Sequence, residues 1–313
     1  MLEKSGQVAW RVAGDFSGGV RHRPGVLVAV RTLDGSRLWT VIDALHGTEK
    51  WREPTDHSLD ALLGDIAVGR KTSNDDRCFD VSMEASRVDG VSRRPLWRQL
   101  SVGAYDENFS KLFACSAEGV FLAKGRSIVA FDLVSGTERW RSDVSDLGGT
   151  ASLEAHPMVA GDVCVVATKT WTAGFAVDDG RRLWSTPVWG AHVVYRDRVY
   201  VIQHDTLHAF DLFDGSIRFQ CEVATEMEKK GRKKFQYIAT ALAASETHIW
   251  CGDPFGTLWA LNRATGSPEW HHRPKGTTGY MGGVPAISGN CLYIPSFSMD
   301  RRFPPSLYCY QGA

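Results

Sequence analysis

Six stretches of this 313-residue chain end in an aromatic residue four positions after a glycine: Gly6 to Trp10, Gly47 to Trp51, Gly136 to Trp140, Gly180 to Trp184, Gly215 to Phe219 and Gly266 to Trp270. A seventh copy, Gly90 to Trp97, carries three extra residues. Successive aromatics stand 41, 46, 43, 44, 35 and 51 residues apart, and the path from Trp270 through the C-terminus to Trp10 adds 53. A period of this size constrains the fold before any single motif does, because each unit is too small to bury its own apolar faces. Within a unit the order recurs: an alternating strand, a polar turn, a second strand, a glycine turn and the aromatic-ending strand. Residues 128–140 (IVAFDLVSGTERW) are the clearest copy, 206–215 and 257–266 repeat it closely, and 41–47 is a weaker version. The Asp or Asn before each turn can accept bonds from the backbone just ahead, and the glycine takes a positive φ at little cost.

Sheets of three or four short strands cover both faces and most edges when they are set radially. The reading is therefore all-β, a seven-bladed β-propeller of four-stranded blades forming one domain over residues 1–313. The chain opens inside a strand of the type that ends a unit, Gln7 to Val12, and closes on Ser306 to Gly312, the kind that precedes it. The N-terminal strand is thus expected to complete the C-terminal blade, which residues 6–12 and 284–312 would share.

The run A-[FL]-[DN]-x-x-[TS]-G-x-x-x-W resembles the repeat of the PQQ-like, or quinoprotein-like, β-propellers across nearly the whole chain. The resemblance implies that Trp10, Trp51, Trp97, Trp140, Trp184, Phe219 and Trp270 are docking residues between neighbouring blades. Each such aromatic buries roughly 150–250 Å², worth about 4 to 6 kcal/mol as an upper bound. WD40 repeats match less well, because Trp-Arg rather than Trp-Asp follows at Trp10, Trp51, Trp97 and Trp140.

The resemblance also carries a cofactor in its name. Quinoprotein alcohol dehydrogenases resemble a ring of eight blades and about twice this length, with an adjacent cysteine pair over the quinone and a calcium held by Glu, Asn and Asp. The seven cysteines here are nowhere adjacent, and no C-x-x-C occurs. No cofactor and no metal is expected, PQQ included. Several cysteines sit in apolar runs, such as Val163-Cys164-Val165, where a reduced thiol acts as a small hydrophobe. With no apolar segment after Met1-Leu2-Glu3-Lys4, the expected address is the cytoplasm. The 36 basic and 36 acidic residues cancel, which argues against a general nucleic-acid or anionic-membrane binder.

Ligands of propellers gather where connecting loops converge around the central channel. The candidate inter-blade segments are 52–60, 98–110, 143–155, 224–240 and 271–283, with hairpin tips at 71–77 and 295–306. Counting back from each second strand sets Gly19, Leu59, Phe113, His156, His192, Leu242 and Val284 at the channel mouth. His156 and His192 are the candidate acid and base. The sharpest charge feature is Lys229, Lys230, Arg232, Lys233 and Lys234 beside Phe235 and Tyr237, with Arg301 and Arg302 as a smaller patch. Such runs clamp phosphates or an acidic partner surface, or remain solvated loops. No H-E-x-x-H, G-x-S-x-G, Walker A or dinucleotide glycine motif is present. The leading expectation is a scaffold or binding module for a protein or peptide. The alternative is a small-molecule enzyme of cyclase, lyase or isomerase type at the channel mouth, with Phe113, Tyr237 and Tyr280 shaping its pocket.

Overall fold

Strands such as Val163–Ala167 and Thr172–Ala176 are buried at every position, so the sheet they form needs a neighbour on each face. A computed structural model describes residues 8–13, 15–23, 26–55, 59, 61–75, 78–88, 93–101, 113–124, 126–148, 157–168, 170–223, 242–252, 257–273, 286–288, 291–296 and 306–311. Among these residues, 28 strands pair into seven antiparallel four-stranded sheets, and the architecture is a β-propeller.

Strand β1 (Val8–Ala13) stands apart from its neighbours in sequence. Sheet 1 is β2 (Asp15–Arg23), β3 (Val26–Leu33), β4 (Ser36–Asp43) and β5 (Glu49–Pro54); sheet 2 is β6 (Ala61–Leu63), β7 (Ile66–Asp75), β8 (Cys78–Val88) and β9 (Arg93–Ser101). Sheet 3 is β10 (Phe113–Ser116), β11 (Gly119–Lys124), β12 (Ser127–Phe131) and β13 (Glu138–Asp143); sheet 4 is β14 (Met158–Ala160), β15 (Val163–Ala167), β16 (Thr172–Ala176) and β17 (Arg182–Thr186). Sheet 5 is β18 (Ala191–Tyr195), β19 (Arg198–Gln203), β20 (Thr206–Asp211) and β21 (Ile217–Glu222); sheet 6 is β22 (Leu242–Ala244), β23 (His248–Gly252), β24 (Leu258–Asn262) and β25 (Pro268–His272). Sheet 7 is β26 (Ala286–Ser288), β27 (Cys291–Ser296) and β28 (Ser306–Gln311), with β1 added at its edge. The register sets Val8 opposite Tyr310 and Val12 opposite Leu307, so the two ends of the chain share one sheet. The first strands β2, β6, β10, β14, β18, β22 and β26 neighbour one another in turn, and β26 lies beside β2.

The core is divided among the seams between sheets. Phe121 and Ile128 meet Cys164, Trp171 and Phe175 between sheets 3 and 4, for example, and Val163, Val165 and Trp184 meet Val199, Val201 and Phe210 between sheets 4 and 5. Leu27, Ala29 and Ile42 meet Tyr293, Leu307 and Cys309 where sheet 7 closes on sheet 1. Three seams share one polar contact. The indole nitrogens of Trp97, Trp140 and Trp184 donate to the carbonyls of Leu133, Val177 and Leu212 on the next sheet, at 2.8, 2.9 and 2.7 Å. Each carbonyl lies three residues before a turn glycine whose surface the indole covers. A Cβ on Gly136 would stand 2.8 Å from Trp97 Cδ2, and one on Gly215 would stand 2.7 Å from Trp184 Cγ. Both glycines also hold positive φ, 71° and 69°, so the repeat needs glycine there for two separate reasons.

Phe219 takes the indole's place against Gly266, while Trp51 and Trp270 pack into the seams between sheets 1 and 2 and between sheets 6 and 7. The Trp10 side chain lies outside the described residues. In the closing seam the matching carbonyl, that of Ala44, accepts from the Tyr293 hydroxyl at 3.1 Å. Two hairpin tips are shorter than the sequence reading had them. Residues 71–75 belong to β7, which pairs with β8 as far as Asp75 opposite Cys78, while Pro295 and Ser296 belong to β27 and Ser306 to β28. Thr, Ser and Asn suit a two-stranded ribbon as well as a loop, so their polarity did not mark where pairing ends.

Candidate functional site

Hydrogen bonds distinguish the two faces of the ring. On one face the first and third turns of a sheet are joined, as in Val177 N–H to Asp162 C=O and Leu212 N–H to Asp197 C=O, both 2.9 Å. On the other, the end of the fourth strand bonds the second turn, as in Val144 N–H to Arg126 C=O at 2.8 Å and Val223 N–H to Asp205 C=O at 2.7 Å. Every inter-sheet connection leaves from this second face, so it carries the candidate site.

Most of the proposed contact residues, His156, Tyr237, Tyr280, Lys229, Lys230, Arg232, Lys233, Lys234, Arg301 and Arg302, lie outside the described residues. Phe113 opens β10, and its side chain is likewise not described. His192 is on the first strand of sheet 5, directly across from Val201, which is in turn across from His208. Residues opposite one another share a sheet face, and Val201 packs against Val163, Val165 and Trp184. The imidazole therefore points into the seam with sheet 4, where it is 2% exposed. Neither ring nitrogen has a hydrogen-bond partner among the described residues. Burial pushes its pKa down to about 4, and the Val165 backbone beside it offsets only part of that shift. Leu59 and Leu242 behave alike, being 0% and 2% exposed and packed in their own seams. His192 and Leu242 on their first strands, and Leu59 just before β6, thus turn toward neighbouring sheets, a direction that counting along the chain does not register.

Among the described residues no three His, Cys, Asp or Glu side chains converge to hold a metal ion. The turns are instead fixed by carboxylates. Asp43, Asp132 and Asp211 accept bonds from the backbone two and three residues ahead. Lys50 beside Asp43, the Ser135 amide and hydroxyl at Asp132, and Arg218 beside Asp211 hold these carboxyls below the usual range.

Sequence reasoning missed a polar network between sheets 1 and 2. Arg93 binds Glu84, donates to the Ser86 hydroxyl at 3.1 Å, reaches Glu53 of sheet 1 at 3.6 Å and lies 5.1 Å over the Trp39 ring. Glu84 and Ser86 are buried. The three extra residues between Gly90 and Trp97 mark this unit as irregular in the sequence. Also missed was a pair on the connection face. Trp189, between β17 and β18, meets His204, at the turn between β19 and β20, with ring centroids 5.2 Å apart and planes at 72°.

Comparisons with known proteins agree with this geometry. A family model described as outer membrane protein assembly factor BamB matches residues 1–168, 81–191 and 173–298. Among solved structures, BamB from Moraxella catarrhalis superimposes with a TM-score of 0.61 over 99% of this chain and 95% of its own, at 18% identity. The computationally designed Ika8 protein gives the same TM-score over 97% and 98% at 13% identity. None of the curated proteins matches. At such identities the structural likeness speaks for the fold alone.

Proposed function

This chain belongs to the family described as outer membrane protein assembly factor BamB, and from that premise we propose that it is a binding platform for a protein or peptide partner. The observation that carries this reading is the burial of His192. A general base must reach the proton it takes, and this imidazole is sealed between two sheets with its pKa near 4. The ring spends its apolar surface on seams and presents connecting segments on one face, which suits contact with a macromolecule. The platform works without PQQ. Its proposed compartment is the cytoplasm, in keeping with the free thiols of Cys164, Cys221, Cys291 and Cys309. No helix among the described residues is long and apolar enough to cross a membrane.

The recognition surface we assign is the connection face, including the basic run between β21 and β22. The test is affinity capture followed by quantitative mass spectrometry, with Lys229, Lys230, Arg232, Lys233 and Lys234 all replaced by Ser. The expected result is that at least one partner retained by the wild-type protein falls by 10-fold or more. An unchanged set of partners would contradict the assignment. Recovery of the protein in a membrane fraction would contradict the compartment.

A further inference from the structure

The connection from β17 to β18 is only four residues long, Pro187-Val188-Trp189-Gly190, and it is held at several points. The Thr172 hydroxyl donates to the Val188 carbonyl at 2.7 Å, and the Val188 amide reaches the Thr186 hydroxyl at 3.4 Å. Gly190 has φ 133° and lies so close to the Ile202 carbonyl that a Cβ would collide with it. A short segment fixed in this way presents the half-buried Trp189 indole in one orientation. Trp97, Trp140 and Trp184 spend their indole N–H on the next sheet, whereas among the described residues Trp189 makes no such bond.

Beside it, His204 occupies the two-residue turn between β19 and β20 with φ 56°, a conformation that glycine fills more readily. Backbone strain retained next to a rigidly held aromatic is the kind of feature that contact surfaces keep. Two carboxylates lie at the same end of sheet 5. Asp205 follows His204, and its carbonyl accepts the Val223 amide; Glu222 precedes Val223 and sits opposite Thr206 in the register. Both are exposed, and neither forms an ion pair among the described residues. The Asp205 carboxylate accepts only the Thr206 hydroxyl, at 3.2 Å, among the described residues, and an indole with exposed carboxylates at the same end of its sheet attracts a cation on two counts, through the ring quadrupole and by charge.

We infer that Trp189, His204, Asp205 and Glu222 form a docking point for a lysine or arginine side chain of an extended partner peptide. This rests on the binding-platform reading and names the chemistry of its partner.

A random heptapeptide library displayed on phage and panned on the wild-type protein tests it. The affinity of one enriched peptide is then measured by fluorescence anisotropy, alongside a version with citrulline for arginine or norleucine for lysine. Enriched peptides are expected to carry Arg or Lys. Affinity should fall 10-fold or more with the neutral isostere and with Trp189→Ala, and several-fold with the surface pair Asp205→Asn/Glu222→Gln, whose fold a melting curve verifies. Enrichment of acidic or purely apolar peptides, or equal binding by the carboxylate variant and the wild type, overturns the docking point and leaves the platform standing. A library that yields no binder at all overturns both.

Discussion

Burying the His192 imidazole ties stability to pH. Its folded pKa, about 4, lies below the ordinary value of 6.5 because burial disfavours the charged ring. Between those values the unfolded chain holds the proton and the folded one does not. Stability is therefore full above about pH 6.5, falls as the pH drops, and levels off near pH 4, with a loss on the order of 3 kcal/mol. His208 and His272, also lowered by burial, act in the same direction. The lowered carboxylates of Asp43, Asp132 and Asp211 lose their contribution only at still lower pH. Urea midpoints for wild type and His192→Leu at pH 7 and pH 4.5 should show the variant losing less; parallel losses would mean that the ring is not sealed. A second prediction at this scale concerns Trp184, which is 7% exposed. Trp184→Ala should cost about 3–5 kcal/mol. Trp184→Phe should cost about 1 kcal/mol through the bond lost to Leu212. Gly215→Ala, forced to keep φ 69° against the indole, should cost at least about 1 kcal/mol. Denaturant unfolding of the three variants checks the order, which a wild-type-like Gly215→Ala would break.

At the scale of the element, the repeat announces where strands and turns fall, because alternation, Asp or Asn, and glycine are local signals. Trp97, Trp140 and Trp184, picked out by spacing, all bond the carbonyl three residues before a glycine. What spacing does not carry is the direction of a side chain across a seam. Arg93 illustrates this: the insertion before it is legible as an irregularity, but its partners Glu84, Ser86, Glu53 and Trp39 come from three strands on two sheets. Tyr293 does too, since it bonds Ala44, 249 residues away in sequence. The Arg93–Glu84 ion pair is largely buried, so removing Arg93 takes the charged partner from a carboxylate that keeps the Ser86 hydroxyl at 2.8 Å. Arg93→Met should destabilise by about 3–5 kcal/mol, and adding Glu84→Met should recover most of that loss. A double-mutant cycle by urea unfolding measures this, and additive losses would show that the pair is not coupled.

Over the whole molecule, phase at the two termini was enough to foresee that β1 would join β28, since a chain that starts in the fourth strand of a unit must find the other three elsewhere. The candidate site was far less legible. Channel-mouth positions were assigned by counting, and Leu59, His192 and Leu242 turn out to face neighbouring sheets. Trp189 and His204 belong to no repeat position, so no periodicity singled them out. The resulting molecule is a ring that closes on itself through apolar seams and carries its inter-sheet connections on one face. The most direct measurement of that account is the unfolding temperature of the wild-type protein and of His156→Ala/His192→Ala against a panel of metabolites and divalent cations. A ligand at about 100 times its Kd adds about 2.7 kcal/mol, a shift of several degrees for a domain of this size. A partner-binding platform predicts no shift from any small molecule in either protein. A metabolite or cation that raises the unfolding temperature of the wild type but not of the double variant would contradict it.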